Sequence, residues 1–371
     1  MPPPNDAARR ALSRRAPLRR PLALAATLLS AVALATACGS AETPAAATDP
    51  NARATELRLG FFANVTHAPA LVGVSEGILA RSLGSTTLNA QVFNAGPATV
   101  EALRGGAIDA AYIGPNPALT AFTQTKGQAV RIVSGATSGG AQLVVRAGLT
   151  SAEDLRGRTI ASPQLGNTQD VALRAWLSTK GLKTSVGGGG DVTIAPQDNA
   201  TTLQLFQDRK IDGAWLPEPW ASRLVLDAGG KVLVDEKDLW PRGEYVTTLL
   251  LVNTTFLDAY PGTVKDLLTA NADSIDFIAA HRDKAKADVN TEIGTITGKP
   301  LSQAVIDRAW DNLSFTTDPL VSTLQKSADD AVAAGTTKKA DLKGNVDLAQ
   351  LTEVLSARGR PAPGDGGLGR A

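Results

Sequence analysis

Short apolar runs alternate with longer helical patterns from Leu57 to Val252, and this alternation constrains the fold more than any other feature. Strands that alternate with helices are typical of βαβ units with mainly parallel sheets. The sequence therefore predicts an α/β fold, with a largely helical part after Pro261. The predicted strands are residues 57–61, 88–93, 110–113, 130–134, 143–146, 159–161, 192–195, 213–216, 231–234 and 248–252. The predicted helices include residues 98–104, 169–180, 201–208, 220–228, 302–312 and 320–334.

One segment of the chain is repeated. Ile-Asp-Ala-Ala-Tyr-Ile at 108–113 is followed by Pro-Asn-Pro, and about a hundred residues later Ile-Asp-Gly-Ala-Trp-Leu at 211–216 is followed by Pro-Glu-Pro. Each copy reads as helix, short strand, Pro-x-Pro turn and helix. Two copies of one unit indicate two lobes of similar build, although chance similarity of two βα units stays open. The repeat also predicts that Tyr112 and Trp215 face each other across a shared cleft.

Composition excludes several classes of protein. The 371 residues are 43% hydrophobic and 20% charged, which is typical of a soluble globular protein with room for two domains. A formal net charge of +1 gives no indication of a nucleic-acid partner. A single cysteine and two histidines exclude a disulfide framework and a Cys/His zinc site. No metal or cofactor is expected.

The first 37 residues have the pattern of a secretory signal peptide. An arginine-rich start precedes an apolar stretch at 22–35 that is too short to span a bilayer. Small residues then lead to Cys38, and this junction resembles the lipobox of bacterial lipoproteins. We therefore expect Cys38 to carry a lipid; a plain cleavage site beside an incidental cysteine is the alternative. Arg14-Arg15 leaves both the general and the twin-arginine export routes open.

Two further segments lack any apolar period. Residues 38–54 are rich in Ala, Thr and Pro and are predicted to be a flexible, lipid-anchored linker. Residues 358–371 are rich in glycine and are predicted to be a disordered tail. The folded part of the chain is therefore expected to extend over residues 55–357.

Polar or small residues follow most of the predicted strands and precede a helix. Ligands in open α/β sheets bind beyond the carboxyl ends of the strands, and helix N-termini offer unpaired N–H groups to an anion. A single such cap is ordinary helix chemistry, so the prediction depends on several of them converging. The candidate ligand-binding residues are Phe62, Asn64, His67, Gly96, Gly114, Asn116, Ser138, Asn167, Thr168, Gln169, Trp215 and Glu218.

Some of these candidates have a second interpretation. His67 could donate to an anion or only cap its helix, and Ser138 could be an ordinary loop residue. Glu218 would repel an anion unless it pairs with an amine of the ligand or with Arg223. Trp220, inside a helix, is expected to serve packing. No Gly-x-Ser-x-Gly elbow or phosphate-binding loop is present, so no catalytic residue is predicted and the chain is not expected to be an enzyme.

Three ordered motifs resemble one family. They are Gly96-Pro97 with Glu101-Ala102-Leu103 and Ile108-Asp109-Ala110, the segment Asp154-Leu155-Arg156-Gly157-Arg158-Thr159-Ile160-Ala161, and the triplet Glu218-Pro219-Trp220. The chain is similar over residues 57–260 to solute-binding proteins of ABC importers from the nitrate, sulfonate, taurine and thiamine-pyrimidine-precursor group.

The resemblance implies a type II periplasmic-binding-protein fold, with two α/β lobes, a ligand cleft and two chain crossings near 139–143 and 245–249. The first lobe would comprise residues 55–140 and 247–357, and the second lobe residues 141–246. The ligand positions implied by the resemblance are Phe62, Asn64, Gly114, Asn116, Asn167, Thr168, Gln169, Trp215 and Glu218.

The function implied is that of an exported, monomeric lipoprotein held at the outer face of the cell membrane through Cys38. It would capture a small polar or anionic solute and deliver it to an ABC permease and its ATPase. An aliphatic or aromatic sulfonate is expected first, then nitrate or taurine, and pyrimidine precursors stay open. The alternatives are an enzyme of thiamine or menaquinone precursor synthesis on the same fold, and a sensory lipoprotein without transport.

Overall fold

The computed structural model describes residues 49–370, which contain two mixed β-sheets with helices on their faces. The strands are β1 Glu56–Phe62, β2 Thr87–Phe93, β3 Ala110–Ile113, β4 Val130–Gly139, β5 Ala141–Val145, β6 Thr159–Ser162, β7 Thr193–Pro196, β8 Gly213–Pro217, β9 Lys231–Asp235, β10 Val246–Asn253 and β11 Leu313–Phe315. The helices are α1 Ala68–Ser75, α2 Ile78–Leu83, α3 Gly96–Arg104, α4 Pro115–Gln124, α5 Thr168–Thr179, α6 Asn199–Gln207, α7 Trp220–Leu226, α8 Thr254–Ala259, α9 Pro261–Ala280, α10 Arg282–Thr297, α11 Gln303–Asp311, α12 Leu324–Ala333 and α13 Ala349–Ser356.

The two sheets share one strand arrangement. The first has the order β11-β4-β10-β3-β1-β2 and the second the order β7-β6-β8-β5-β9. In the first sheet β1 lies parallel to β2 and β3, and β10 runs antiparallel to β3. In the second sheet β6 lies parallel to β7 and β8, and β5 runs antiparallel to β8. We call the first sheet with its helices the first lobe and the second sheet with its helices the second lobe.

The sequence repeat corresponds to this shared arrangement. Asp109, directly before β3, accepts a hydrogen bond from the backbone N–H of Arg58 in β1 (2.9 Å). Asp212, directly before β8, accepts one from the backbone N–H of Thr159 in β6 (3.0 Å). Each carboxylate thus joins the start of one parallel strand to its neighbour, which is a structural role.

Burial explains which segments became central strands. β4 and β5 are buried at every residue, as expected for strands covered on both faces. β2 lies at the edge of the first sheet and has only exposed and partly buried residues. The first lobe has one large apolar core, and the second lobe has smaller cores on the two sides of its sheet.

The chain passes between the sheets in two places. β4 ends at Gly139 and only Gly140 separates it from β5; the φ angles of these two residues, 81° and 77°, lie in the left-handed region that favours glycine. The return runs over residues 236–245, where the Tyr245 hydroxyl accepts a hydrogen bond from the backbone N–H of Ala141 (3.1 Å). The two crossings are therefore joined directly to each other.

Two details of the first sheet differ from the predicted strands. β4 continues to Gly139, so Ser138 is a strand residue paired with Val246 and Ser314 and does not lie in a loop. β11 was not predicted. The helices α11 and α12 belong to the segment predicted for the first lobe but contact both lobes: α11 packs against α10 and α7, and α12 packs against α4 and α5. The lobe boundaries therefore stay a prediction.

Both segments predicted to be irregular are anchored where the structure describes them. Arg53, in the predicted linker, pairs with Asp266 of α9 (2.7 Å). Near the C-terminus, Arg360 donates two hydrogen bonds to Asp276, and Arg370 donates two to Asp258. The prediction of a disordered tail is wrong for residues 358–370, because arginines between the glycines find acidic partners on the helices. Between residues 49 and 370 no helix has both the length and the apolar character needed to cross a membrane.

Candidate functional site

A small cavity lies between the lobes, at the carboxyl ends of the parallel strands of both sheets. Its volume of ≈ 20 Å³ has room for about one or two water molecules. The lining residues come from the segments that follow β1, β2, β3, β6 and β7, with the end of β8 and the start of β10. They are Phe62, Asn64, Thr66, His67, Asn94, Gly114, Asn167, Thr168, Gln169, Asn199, Pro217 and Thr247.

The start of α5 is the richest source of donors in this wall. Asn167 occupies the N-cap in an extended conformation, and its side chain makes no capping hydrogen bond. The first turn of an α-helix leaves backbone N–H groups without intrahelical partners, and those groups carry a partial positive charge. Thr168 and Gln169 follow in that turn and line the cavity. The helix thus offers a set of fixed donors to an oxygen-bearing guest.

Two buried polar atoms at the cavity have no protein partner. The hydroxyl of Thr168 and the Oδ1 atom of Asn199 are both buried, and neither makes a hydrogen bond within residues 49–370. Leaving a buried polar atom unpaired costs roughly 1–3 kcal/mol. Thr168 and Asn199 start α5 and α6 of the second lobe. The Thr168 hydroxyl can therefore donate to a guest, and the Asn199 side chain can present either its oxygen or, with the amide group turned over, its NH2 group.

His67 is a neutral donor in this wall. Burial lowers its pKa to about 3, so the imidazole carries no charge at neutral pH. The Nδ1 atom accepts a hydrogen bond from the backbone N–H of Phe62 (3.3 Å), and the two rings lie 4.3 Å apart. A neutral imidazole with an accepting Nδ1 carries its proton on Nε2. His67 can consequently donate one hydrogen bond to a guest without attracting it by charge.

The cavity wall therefore carries no formal charge. The nearest acidic group of the helix start is Asp170, which would repel an anion if it were free. Its carboxylate accepts hydrogen bonds from Ser162 Oγ (2.7 Å), from the Gly166 N–H (3.0 Å) and from Arg174 Nε (3.1 Å). Arg174 is itself buried, and its positive charge cancels that of the carboxylate. Helix dipoles and neutral donors are left to interact with the guest.

A much larger groove of ≈ 840 Å³ adjoins the cavity and shares four of its residues, Phe62, Asn64, Asn94 and Asn199. The first lobe contributes apolar side chains such as Phe93, Ile296 and Leu301, and the second lobe contributes Trp220. Arg223 of α7 pairs with Asp227 in its wall (3.3 Å). The groove can hold an organic group whose polar end enters the cavity.

The lobes touch at the boundary between groove and cavity. Trp220 Nε1 donates to Asn64 Oδ1 across the cleft (2.9 Å). Deeper inside, a Cβ atom built on Gly114 would lie 2.4 Å from the Thr168 hydroxyl, so only glycine permits this approach of the lobes. Trp220 was expected to serve packing, and the structure places it as a bridge between the lobes.

The structure brings seven of the twelve predicted ligand positions together in the cavity wall: Phe62, Asn64, His67, Gly114, Asn167, Thr168 and Gln169. Gly96 lies just behind, because a Cβ on it would stand 3.1 Å from Asn167 Oδ1. Asn116 and Ser138 lie elsewhere. The Asn116 side chain donates to the carbonyl oxygen of Ser327 (2.8 Å). Ser138 lies in β4, paired with β10 on one side and with the edge strand β11 on the other.

Glu218 does not line the cavity either. It is fully buried at the other side of the lobe contact, where Arg308 (3.2 Å) and Asn312 (2.7 Å) donate to its Oε1 atom. The Ser222 N–H donates to Oε2 (3.0 Å). Burial raises the pKa of Glu218, and these hydrogen bonds and the Arg308 charge oppose that rise. The sequence suggested a ligand amine or Arg223 as the partner of Glu218. That suggestion is wrong, because Arg308 of α11 supplies the positive charge.

Tyr112 and Trp215 do not face each other, so that prediction is wrong. Both side chains are fully buried in the core of their own lobe. Tyr112 donates its hydroxyl proton to Asn271 Oδ1 (3.0 Å), and Trp215 Nε1 donates to Glu236 Oε2 (2.8 Å). Trp215 therefore lies outside the cavity wall. A strand end places a residue near the cleft, but the pleat decides which face it serves.

We expect Glu236 to make the protein less stable as the pH rises. Burial raises its pKa to about 7 from an ordinary value of 4.5. The folded state therefore holds this proton more tightly than the unfolded chain, and the free energy of unfolding falls between pH 4.5 and pH 7 by about 3 kcal/mol. Glu236→Gln should remove this dependence while still accepting from Trp215. Urea unfolding at pH 5 and pH 8 measures the free energy of unfolding of the original protein and of Glu236→Gln. If the two proteins differ by the same amount at both pH values, the assignment is contradicted.

Five lining residues were not among the predicted ligand positions: Thr66, Asn94, Asn199, Pro217 and Thr247. Asn94 follows β2 and Asn199 follows β7, so the rule of strand carboxyl ends could have found both. Thr247 is different, because it lies near the start of an antiparallel strand that meets the same edge from the opposite direction. Cys38 and the predicted signal peptide lie outside the described residues.

Comparisons with known proteins agree with this architecture. The chain is 28% identical over 197 residues to the taurine-binding periplasmic protein of Escherichia coli, a match that covers 53% of this chain and 59% of that one. The alkanesulfonate-binding protein of Xanthomonas axonopodis pv. citri, solved with bound MOPS, superposes with a TM-score of 0.65 at 23% identity, covering 78% of this chain and 96% of that one. The nitrate-binding protein of Synechocystis superposes with a TM-score of 0.70 at 16% identity, covering 82% and 89%.

These relatives are solute-binding proteins and not enzymes, and the predicted periplasmic-binding-protein fold is confirmed. The model of the NMT1-like family matches residues 50–293, which is more than half of the chain and includes every residue of the cavity wall. The chain belongs to the NMT1-like family.

Proposed function

We propose that this protein is the solute-binding component of an ABC importer and that its ligand is a small organic anion, first of all an aliphatic or aromatic sulfonate. The anionic head would occupy the cavity between the lobes, and the organic part would lie in the adjoining groove. The protein would deliver the solute to a membrane permease. Export and attachment through a lipid on Cys38 complete the proposal.

One observation carries it: a cavity at the strand carboxyl ends is walled by neutral donors from both lobes, with the open N-terminus of α5 among them. Such a wall suits an anion that is always ionised, because no proton has to be exchanged when it binds. Fixed backbone donors and a helix dipole replace the water that the anion loses. Among the relatives, proteins named for taurine, alkanesulfonate and nitrate are consistent with this chemistry.

The groove favours a sulfonate over nitrate. With ≈ 840 Å³ and apolar side chains from both lobes, it offers contact area that nitrate could not use. Taurine would use less of this contact area, because its apolar part has only two carbon atoms. Its ammonium group would have to meet Asp198, since Asp227, the other acidic residue of the groove, already pairs with Arg223.

Binding should be coupled to closure of the lobes. A ligand shifts an equilibrium between open and closed forms only if it prefers one of them. Here Asn64 and His67 belong to the first lobe, and Thr168 and Asn199 to the second. A head group that contacts both sets binds the closed form better, and the closed form would be recognised by the permease.

A thermal-shift screen of the purified protein tests the proposal. Alkanesulfonates, arylsulfonates, nitrate, taurine and pyrimidine precursors are compared at equal concentration, because a bound ligand raises the unfolding temperature by mass action. A rise with sulfonates that grows with the apolar group is the expected result. No shift with any of these compounds, or one restricted to pyrimidines, would refute the assignment.

The affinity for a sulfonate should not depend on pH between 5 and 8. His67 has a pKa of about 3 and stays neutral over that interval, and sulfonates remain ionised. Calorimetric titrations in buffers without a sulfonate group measure the dissociation constant at several pH values. Binding that strengthens about tenfold for each unit of falling pH would mean that a protonated group, and not the neutral wall, holds the anion.

A further inference from the structure

A second pocket lies on the first lobe, away from the cleft. Its volume is ≈ 300 Å³, and it is formed by the C-terminal end of α4, the start of β4 and the segment 340–343. α4 has ten residues and is therefore about 15 Å long, with Gly114 of the cavity wall at its other end. The lining residues are Phe122, Thr123, Lys126, Gly127, Arg131, Ala340, Asp341 and Lys343.

Arg131 is the central side chain of this pocket. It is only 9% exposed, and none of the carboxylates between residues 49 and 370 lies within ion-pair distance of its guanidinium. Nη1 donates to the carbonyl oxygens of Gly127 (2.6 Å) and Val130 (2.8 Å) and to Thr254 Oγ1 (3.3 Å). These contacts fix the guanidinium plane. Nε is buried without a partner, and Nη2 makes no hydrogen bond within the described residues.

The charge around Arg131 is not balanced by its surroundings. Buried charges in proteins are normally paired, because carbonyl dipoles compensate a full charge only in part. Lys126 and Lys343 line the same pocket and are exposed, and neither has an ion-pair partner between residues 49 and 370. The one acidic residue of the wall is Asp341, whose Oδ1 atom accepts from the Lys343 N–H (2.9 Å). Three cations thus face a single carboxylate.

Neighbouring charges compensate Arg131 only in part. Burial lowers its pKa most and Arg370 lowers it further, whereas Asp258 and Asp347 act in the opposite direction. Arg370 is paired with Asp258 (2.6 Å) and lies 3.6 Å from Asp347, so Arg131 shares both carboxylates with a second cation. Arg131 itself has no carboxylate at ion-pair distance among residues 49–370.

We propose that this pocket is a second anion site, which binds a phosphate-type oxyanion between Arg131, Lys126 and Lys343. The Nη2 group of Arg131 has no partner among the described residues and, unlike Nε, is not sealed off, so it can donate to a phosphate oxygen. The two lysines add charge at the mouth, and the Phe122 ring, 5.6 Å from the guanidinium carbon of Arg131, forms an apolar wall. The phosphate could be free or part of a lipid head group.

Calorimetry of the purified protein with inorganic phosphate tests this site. Titrations are run in a Tris buffer, since a sulfonate buffer could occupy the cleft. We expect saturable binding that the double variant Lys126→Asn/Lys343→Gln weakens at least about tenfold. Asparagine is chosen because Lys126 has a φ angle of 52°, which asparagine tolerates. The control Lys338→Gln/Lys339→Gln removes two charges directly before the segment 340–343, from residues that do not line the pocket, and should change the affinity less than about twofold.

A further variant separates this site from the cleft. Thr168→Val, which alters the cavity wall, should leave the affinity for phosphate unchanged. If it weakens phosphate binding as much as Lys126→Asn/Lys343→Gln does, the anion sits in the cleft and the second site is refuted. Equal losses in Lys126→Asn/Lys343→Gln and Lys338→Gln/Lys339→Gln would also refute it, because unspecific attraction would then explain the binding.

Vesicle flotation distinguishes the two sources of phosphate. A chain carrying Cys38→Ser, which cannot be acylated at that residue, is mixed with phosphatidylglycerol or phosphatidylcholine vesicles. Flotation with phosphatidylglycerol alone that Lys126→Asn/Lys343→Gln abolishes would assign the site to a lipid head group. Saturable binding of inorganic phosphate without flotation would assign it to free phosphate. If neither flotation with phosphatidylglycerol nor saturable binding of inorganic phosphate is observed, the proposal is overturned.

Discussion

Replacing Thr168 by valine should lower the affinity for solute by about ten- to a hundredfold and should also make the protein more stable. The hydroxyl is buried at the start of α5 and has no protein partner. A hydrogen bond to a charged ligand contributes about 1.5–3 kcal/mol, which corresponds to that loss of affinity. In the unliganded protein the same hydroxyl is an unpaired polar group, so a methyl group in its place should add about 1 kcal/mol of stability.

The two expected changes run in opposite directions, a loss of affinity and a gain of stability, and this makes the prediction specific. Calorimetric titration with the sulfonate found in the screen measures the affinity, and urea unfolding without ligand measures the stability. Thr202→Val is the matched control in the same lobe, because the Thr202 hydroxyl is fully buried but already donates to the Asp198 carbonyl (3.1 Å). That variant should keep its affinity and gain no stability. Normal affinity in Thr168→Val would show that the anion does not reach α5.

Replacing Arg308 by methionine should cost about 3 kcal/mol of stability, the largest effect expected for a single substitution outside the apolar cores. Arg308 extends from α11 to the buried carboxylate of Glu218 and also donates to Gln142 Oε1 (2.7 Å). Removing one partner of a buried ion pair leaves an uncompensated charge, which typically costs about 3–5 kcal/mol. The pKa of Glu218, already raised by burial, should rise further, so the deficit should be smaller at pH 5 than at pH 8.

A double-mutant cycle separates this ion pair from simple packing. Glu218→Gln/Arg308→Met removes both charges and should be within about 1 kcal/mol of the original protein, because the desolvation penalty disappears with the charges. Arg282→Met serves as the control, since it removes an exposed pair with Asp311 and should cost less than about 1 kcal/mol. If the double variant loses as much as the sum of the single ones, the charges are not coupled.

The fold could be predicted because it depends on local periodicity and on strong turn signals. Each predicted strand has a counterpart among the strands observed, and the repeat at Asp109 and Asp212 identified two lobes with one strand arrangement. The two strand features that escaped prediction have weak local signals. The end of β4 is rich in Ser, Thr and Gly, and β11 has three residues that pair only because β4 is already in place.

The candidate site was predicted as a region more successfully than as a set of side chains. Helix starts after parallel strands must meet at one edge of a sheet, so Asn64, Gly114 and Thr168 could be assigned from their positions in the chain. Glu218 and Trp215 fulfil the same rule in sequence but are turned away from the cavity. Their partners, Arg308 and Glu236, lie 90 and 21 residues away, a relation that no local pattern contains.

The amino-acid sequence by itself determined the two lobes and the edge at which a ligand would be sought, because hydrophobic periodicity, glycine and proline act over a few neighbouring residues. Only the tertiary structure decided which polar atoms stay unpaired at that edge. The hydroxyl of Thr168 becomes a candidate binding group because no other part of the described chain bonds to it, and the carboxylate of Glu218 becomes structural because Arg308 does. Such pairing depends on distances between segments far apart in the chain, and those distances exist only after packing.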